Sequence, residues 1–413
     1  MAFGMMNAGT APIAIEFGVG SLKALQVSPG ESPSLIAAAC LETPEDVRRD
    51  HDARLTYQCE QVGKLLKGAG FKGKRVTCSI PAPFTLVQHI QVQKSDGVSM
   101  TDQVMSHLQS QLHCDPTRVV VRHVEVADVS RSGGSRTEVI CFAVARDMVM
   151  RIMSALRTAK YEVIGVHSEH IALARAFDHV TKRESDSELT SMYLDLGVGT
   201  SKIVLAHGRD IVFAKTIHVA GVDLDTSIAK ELNCDLAEAR ARRLAMGRDM
   251  PATAKPAPQA QAAAPMQPPP MQAGAMGGAN ATPSSDVEVA EERRIGATPS
   301  GMTEPINRMD TEIEKPLEGP TSALASEVSM CLRYHERLFP DRPVKRAVFV
   351  GGEARDLALC QRIAKLLRLP AQIADPLACL QKTGKEPMRH IDFSAPQPGW
   401  TVPFGLCFAP RNL

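Results

Sequence analysis

The sequence predicts an α/β protein made of two similar halves that hold a ligand between them. Two observations lead to this fold class. Two glycine-rich hairpins share one residue pattern, and a buried strand near the carboxyl end of the chain ends in two glycines and is followed by a helical stretch. Open α/β sheets bind ligands at the carboxyl ends of their strands, so these three segments predict one site.

The hairpin at residues 192–202 shows the pattern most clearly. An apolar strand ends in one carboxylate, and two glycines, two hydroxyls and a lysine follow: Asp195, Gly197, Gly199, Thr200, Ser201 and Lys202. Glycines let backbone N–H groups approach phosphate oxygens, hydroxyls donate further bonds, and a carboxylate can hold magnesium through water. The pattern therefore favours phosphate binding. The alternative is an ordinary hairpin with a glycine-rich tip.

The same pattern occurs at residues 13–27. In the same order, the matching residues are Glu16, Gly18, Gly20, Ser21 and Lys23, which correspond to Asp195, Gly197, Gly199, Thr200 and Lys202. Two such hairpins indicate an internal duplication with a ligand between the halves. Each lysine can either reach a phosphate or face solvent.

The third segment is the apolar strand at residues 344–350, followed by Gly351, Gly352 and Glu353. A Gly-Gly turn at the end of a strand lets a flat base or a ribose lie against the backbone. We therefore expect these three residues to flank a nucleoside.

With these three motifs in this order, the chain resembles the actin-like nucleotide-binding superfamily, and within it the PilM family of type IV pilus assembly. The resemblance covers nearly the whole chain apart from one low-complexity insert. It implies an actin-like (ribonuclease H-like) fold of duplicated nucleotide-binding domains with a small inserted α+β subdomain. It also implies ATP and magnesium as ligands, with Asp195 holding magnesium through water. Lys23 fits the family pattern better than Lys202 does.

The resemblance implies a division of the chain into five parts. These are residues 1–83 with 164–187 as the first half, 84–163 as the inserted subdomain, 188–249 with 311–399 as the second half, 250–310 as the insert, and 400–413 as a closing segment that packs on the first half. The insert is rich in Pro, Ala, Gln, Met and Gly and has no aromatic residue, so we expect it to be disordered.

Further site residues follow from the resemblance. Glu169 begins the helix that links the halves and is a candidate for orienting an attacking water; alternatively, it only favours the positive end of that helix. Gly221 resembles the glycine at the entrance to the next helix. Arg243, with Arg240, stands where the family has an acid and a lysine, although both can equally form a basic solvated face.

Glu16 departs from the family, which generally has aspartate at this position. One more methylene moves the carboxylate by about 1.5 Å, and a misplacement of about 1 Å can cost roughly 100-fold in rate. We therefore expect at most weak ATPase activity, with Asp195, Glu16 and Glu169 as the catalytic candidates.

Composition excludes several classes of partner. The net charge of +1 and the 4% of aromatic residues argue against nucleic-acid binding. The ten cysteines form no C-x-x-C pair, which disfavours zinc. No apolar run approaches the roughly 20 residues that span a bilayer, so we expect no direct membrane insertion.

The resemblance implies an ATP-binding scaffold of type IV pilus assembly, in the cytoplasm and attached to the inner membrane through a partner. That partner is the cytoplasmic tail of a PilN-like membrane protein, which is expected in a groove lined by residues 79–81 and 163–166. Self-association is compatible with the sequence. Two alternatives stay open: a phosphotransferase of the sugar-kinase branch, for which no sugar-binding acid is evident, and an FtsA-like filament-forming protein.

Overall fold

The computed structural model describes residues 11–28, 30, 32–93, 97–112, 115–131, 134–178, 184–246, 308–391, 393 and 395–411. Residues 250–307 of the predicted disordered insert lie outside the described residues. Within the described part of the chain, no helix is both long and apolar enough to cross a membrane.

The secondary-structure elements are numbered in chain order. The strands are β1 Ile13–Phe17, β2 Ser21–Val27, β3 Leu35–Glu42, β4 Arg75–Ile80, β5 Thr85–Val92, β6 Val119–Arg131, β7 Gly134–Ala145, β8 Glu162–Ser168, β9 Thr190–Leu196, β10 Ser201–His207, β11 Asp210–Ile217, β12 Val344–Val350, β13 Ala371–Ile373 and β14 Met388–Arg389. The helices are α1 Glu45–Arg48, α2 His51–Leu66, α3 Met100–Leu112, α4 Arg146–Thr158, α5 Glu169–Arg175, α6 Glu184–Ser187, α7 Gly221–Leu232, α8 Leu236–Met246, α9 Arg308–Leu338, α10 Leu357–Leu367 and α11 Thr401–Cys407.

The first half is built on a six-stranded sheet with the strand order β14-β3-β2-β1-β4-β8. Strands β1 to β3 form an antiparallel meander, whereas β4 pairs parallel with β1 and β8 pairs parallel with β4. Every residue of β1 is buried, as expected of a strand covered on both faces. Ile13 and Ile15 pack with α2 and α4 on one face, and Ala14 packs with α5 and α11 on the other.

The second half repeats this arrangement in a five-stranded sheet with the order β11-β10-β9-β12-β13. Strands β9 to β11 form an antiparallel meander, β12 pairs parallel with β9, and β13 pairs parallel with β12. The order and directions match those of β3-β2-β1-β4-β8. The internal duplication predicted from the two hairpins is therefore confirmed by the strand topology.

The inserted unit is an antiparallel three-stranded sheet with the order β5-β7-β6, covered by α3. Helix α4 lies within the predicted range 84–163, but its side chains pack with α2 in the core of the first half. The inserted sheet also contacts the second half: the Tyr334 hydroxyl of α9 donates to the Glu138 carboxylate at 2.6 Å, and His89 lies 3.2 Å from the Ala214 carbonyl.

Helix α9 begins at Arg308, within the predicted insert that ends at residue 310, and it contains Pro316 and Pro320. A proline at position 320 cannot donate to the carbonyl of residue 316, which normally breaks a helix. Here the Ser227 hydroxyl of α7 donates to the Pro316 carbonyl at 2.6 Å. A tertiary hydrogen bond thus replaces the missing helical one, and the helix continues through both prolines.

The closing segment contacts both halves. Helix α11 packs on α5 and on the β1 side of the first sheet. Just before it, the Pro398 carbonyl accepts from the Gly351 N–H at 3.0 Å, and the Gly399 carbonyl accepts from the Lys23 ammonium at 2.6 Å. This segment therefore connects the end of β12 with the first glycine-rich hairpin.

Candidate functional site

The two glycine-rich hairpins meet tip to tip between the halves. A Cβ atom on Gly199 would lie 2.7 Å from Cγ1 of Val19, and one on Gly20 would lie 3.0 Å from Cγ2 of Val198. Carbon atoms pack favourably at about 3.5–4.0 Å, so this approach requires glycine at both positions. The structure thus brings the two predicted tips together, and valine side chains lie between their backbones.

Each hairpin carries an acid and a lysine directly across its two strands. The register places Glu16 opposite Lys23 and Asp195 opposite Lys202. In both pairs the lysine ammonium lies 3.0 Å from a carboxylate oxygen of its partner. The duplication therefore preserves an ion pair as well as a fold, and the predicted alternative in which either lysine simply faces solvent is wrong.

Lys202 lies at the centre of a buried ionic cluster. Its ammonium is 3.0 Å from Asp195 Oδ2 and 3.0 Å from Glu169 Oε2, and only 5% of the residue is exposed. Burial alone would lower the pKa of Lys202, but the carboxylates of Asp195, Glu169 and Glu16 raise it above its ordinary value. The ammonium therefore stays positively charged between Asp195 and Glu169. The sequence predicts that Asp195 holds magnesium and that Glu169 orients a water molecule.

Glu16 is held differently from Asp195. Burial raises the pKa of the Glu16 carboxyl; Lys23 opposes this effect, and the charge of Glu169 adds to it. Lys23 divides its donors between Glu16 and the Gly399 carbonyl. The carboxylate–lysine pair of the first hairpin is thus tied to the closing segment.

Of the predicted hydroxyl ligands, Ser201 is turned away from the other hairpin. Its hydroxyl donates to the Val219 carbonyl at 2.7 Å and is fully buried. Thr200 is also buried, whereas Ser21 is half-buried at the start of β2. The expectation that Ser201 donates to phosphate does not match this arrangement, because its donor is used between β10 and the loop before α7.

The predicted nucleoside wall forms around the end of β12. Gly351 has φ +93°, and a Cβ there would lie 2.3 Å from the Asp195 Oδ1 and Leu196 carbonyl oxygens. Only glycine can occupy this position, both because of its φ and because of the close approach. Gly221 is equally close to this wall, since a Cβ on it would lie 2.7 Å from Glu353 Cδ. The strand end, Asp195 and the start of α7 are thus in direct contact.

Arg243 and Glu353 are the centre of a second buried ionic network. Arg243 Nη2 lies 2.7 Å from Glu353 Oε2, and its Nε lies 2.7 Å from Asp225 Oδ1. Arg240 adds bonds to the same two acids at 3.0 and 3.2 Å. Arg243 and Glu353 are each 1% exposed. The alternative in which Arg243 belongs to a solvated basic face is therefore wrong for Arg243, although Arg240 is only half-buried.

In this second network, Arg243 and Glu353 shift each other's pKa values toward the ionised forms. Burial alone would lower the pKa of Arg243, but Glu353 and Asp225 raise it. Burial alone would raise the pKa of Glu353, but Arg243 and Arg240 bring it below its ordinary value. Both partners are therefore ionised at neutral pH, and the fold holds an internal salt bridge where the sequence predicts nucleoside contacts.

In this arrangement, side chains of the chain itself occupy the positions that the sequence predicts for magnesium and for a nucleoside. Magnesium binds oxygen at about 2.0–2.1 Å and usually keeps several waters, yet the Lys202 ammonium occupies the space between Asp195 and Glu169. The cavity bounded by Gly197, Gly221, Glu353 and Leu359, which lies within the second half, has a volume of about 10 Å³ and is too small for a base or a ribose. Within the described ranges, no three His, Cys, Asp or Glu side chains are placed to hold a metal ion.

Sequence analysis missed two polar residues of α2 behind the first hairpin. Gln58 is fully buried and donates to the Gly18 carbonyl at 2.7 Å. Arg54, one turn earlier, is also fully buried and donates to the Arg48 carbonyl at 3.2 Å. Their i, i+4 spacing next to the apolar stripe of the helix was the available signal, because it places both side chains on one face.

Comparison with known proteins supports the fold. No family model and no curated protein matches the chain. A solved structure described as a PilM-PilN type IV pilus biogenesis complex is similar over 97% of this chain and 98% of that chain, with 16% sequence identity and a TM-score of 0.67. This likeness confirms the predicted actin-like α/β fold.

Two further solved structures are similar at a lower level. The ethanolamine utilization protein EutJ from Carboxydothermus hydrogenoformans has 12% identity and a TM-score of 0.45, over 96% of this chain and 88% of that chain. MreB5 of Spiroplasma citri bound to ADP has 14% identity and a TM-score of 0.44, over 90% of this chain and 94% of that chain.

Proposed function

We propose that this chain is a PilM-like scaffold of type IV pilus assembly that binds the cytoplasmic tail of a PilN-like membrane protein. The observation that carries the proposal is the likeness to the PilM-PilN complex, which extends over nearly the full length of both chains. The inserted sheet β5-β7-β6 lies within the matched length. On this proposal, the chain acts at the cytoplasmic face of the inner membrane through its partner.

The strand order of the first sheet limits the strands with which a tail can form backbone hydrogen bonds. Strand β4 lies between β1 and β8, so both of its edges are already paired. Strand β8 is the last strand of the described sheet. An extended tail adds to a sheet at such a strand. We therefore propose that the tail lies beside β8, and not beside β4 at Ser79 and Ile80.

Affinity would come from main-chain bonds to β8 and from burial of two or three apolar side chains of the tail. Each such side chain offers roughly 1.5–3 kcal/mol, of which association and ordering of the tail consume a large part. We therefore expect a dissociation constant in the micromolar range.

The test is amide hydrogen exchange on the full chain with and without a peptide of the amino-terminal tail of a co-encoded single-pass membrane protein. We expect slower exchange in β8 when the peptide is present. The matched control is β13, which is the equivalent last strand of the second sheet and should exchange equally in both samples. Absence of peptide binding at millimolar concentration, or protection that leaves β8 unchanged, would contradict the proposal.

A further inference from the structure

The closed arrangement between the halves contains a fixed cation of its own. Lys202 Nζ lies 3.0 Å from both Asp195 and Glu169, distances at which no water molecule fits between the charged groups. A hydrated divalent cation and this ammonium therefore cannot occupy the same space. The lysine carries one positive charge to the carboxylates that the motif would otherwise present to a metal.

The neighbouring nucleoside position is filled in the same way. Arg243 is 1% exposed and lies between Asp225 and Glu353, both at 2.7 Å, with Asp356 at 3.7 Å. These carboxylates are contributed by α7, by the turn after β12 and by the residue that caps α10. The guanidinium thus joins three elements of the second half around the predicted nucleoside position.

The phosphate position is closed by apolar side chains. Val19 and Val198 each lie against a glycine of the opposite hairpin. In this arrangement their methyl groups fill the space between the tips that the sequence predicts for a phosphate. The Lys23 bond to the Gly399 carbonyl and the Gly351 bond to the Pro398 carbonyl hold the closing segment across the same region.

From these contacts we infer that the chain fills the site between its halves with its own side chains, with Lys202 in place of a divalent cation and Arg243, whose partners all lie in the second half, in place of a nucleoside. The closed state is then independent of magnesium and of nucleotide. This inference does not rest on the proposed partner, since it concerns contacts within one chain.

The first test uses the wild-type full chain. Its melting temperature is measured in EDTA, in magnesium chloride, and in magnesium chloride with ATP at several millimolar. We expect the three values to agree within about 1 °C. A ligand present at about 100 times its dissociation constant would stabilise the folded chain measurably, by several degrees. Such an increase with ATP and magnesium, or heat of ATP binding in calorimetry, overturns the inference.

The second test asks whether a divalent metal ion stabilises the protein once Lys202 is removed. Lys202→Ser leaves Asp195 and Glu169 without their shared cation and gives space for a hydrated ion. We expect a lower melting temperature in EDTA and an increase on adding magnesium or manganese chloride that the wild type does not show. The matched control is Lys215→Ser, which removes a half-exposed lysine that pairs with Glu327 at 2.8 Å. The melting temperature of this control should not change when either metal is added.

If Lys202→Ser folds and its melting temperature is the same with and without a divalent metal, Lys202 does not stand in for a divalent cation. A variant that folds only when metal is added supports the inference more strongly than a shift in melting temperature. If this variant gives no folded protein under any condition, the wild-type measurement with ATP and magnesium decides alone.

Discussion

Replacing Arg243 by methionine should destabilise the chain by about 3–5 kcal/mol, the usual result of removing one partner from a buried ion pair. Arg243 makes two hydrogen bonds of 2.7 Å to ionised carboxylates and is 1% exposed. Methionine fills a similar volume and has a similar helix propensity, so the loss reports mainly the two buried carboxylates left with the half-buried Arg240 as their only arginine partner.

Arg242 is the matched control because it is the next residue on the same helix. Its side chain is more than a third exposed and pairs with Glu238 four residues earlier. Exposed pairs of this kind contribute about 0.3–0.5 kcal/mol, so Arg242→Met should be nearly neutral. Urea unfolding of the three proteins at equal ionic strength measures both differences. A cost for Arg243→Met below about 1 kcal/mol, or equal to that of Arg242→Met, refutes the reasoning.

The pH dependence adds an independent check. In the wild type, the lowered pKa of Glu353 gives stability that is present above the ordinary carboxyl pKa and is lost as pH falls through the lowered value. In Arg243→Met, Glu353 keeps only Arg240 as a cationic partner, so its pKa is higher than in the wild type. The variant therefore gains less stability than the wild type as pH rises through the carboxyl range. The difference between the two proteins should therefore be larger at pH 8 than at pH 5.

Two further predictions concern the hairpin tips and a buried histidine. Gly199→Ala should cost about 1–3 kcal/mol because its Cβ would lie 2.7 Å from Val19, and adding Val19→Ala should recover most of this loss. The control is Gly352→Ala, whose Cβ would meet nothing within 4 Å. This control should be nearly neutral in the same thermal unfolding assay. Burial lowers the pKa of His335 to about 4, so the unfolded chain takes up a proton first as pH falls below about 6.5. Between pH 7 and pH 5 the wild type should lose about 1–2 kcal/mol more than His335→Phe; equal losses in urea unfolding would contradict this.

The duplicated fold could be predicted because its signal is local. Each glycine-rich hairpin carries its acid, glycines, hydroxyl and lysine within ten residues, and each topological repeat begins with that hairpin. The Gly351 turn was also predictable, since a glycine pair after an apolar run indicates a special backbone position. These features depend only on residues that are close together in the sequence, so they can be recognised from the sequence pattern.

The state of the site could not be predicted because it depends on distant residues. Strand β10 is buried on both faces over most of its length, so the alternation of side chains does not show which way Lys202 points. Arg243 meets Glu353 across more than 100 residues of chain, and in the sequence it is one of several arginines on a short helix. Only the packing of α8 against the end of β12 decides that this arginine is buried.

The placement of α11 and β14 in the first half has a consequence for biosynthesis. Strand β14 pairs with β3, and α11 covers the face of β1 that contains Ala14. More than 200 residues separate α11 from α5, against which it packs. At ~5–20 residues per second, the ribosome needs roughly 10–40 s to make that stretch. During this time the amino-terminal sheet exists without its last layer, so it cannot mature as an independent domain while translation continues. We expect it to be a chaperone client until α11 has been synthesised and has emerged from the ribosome.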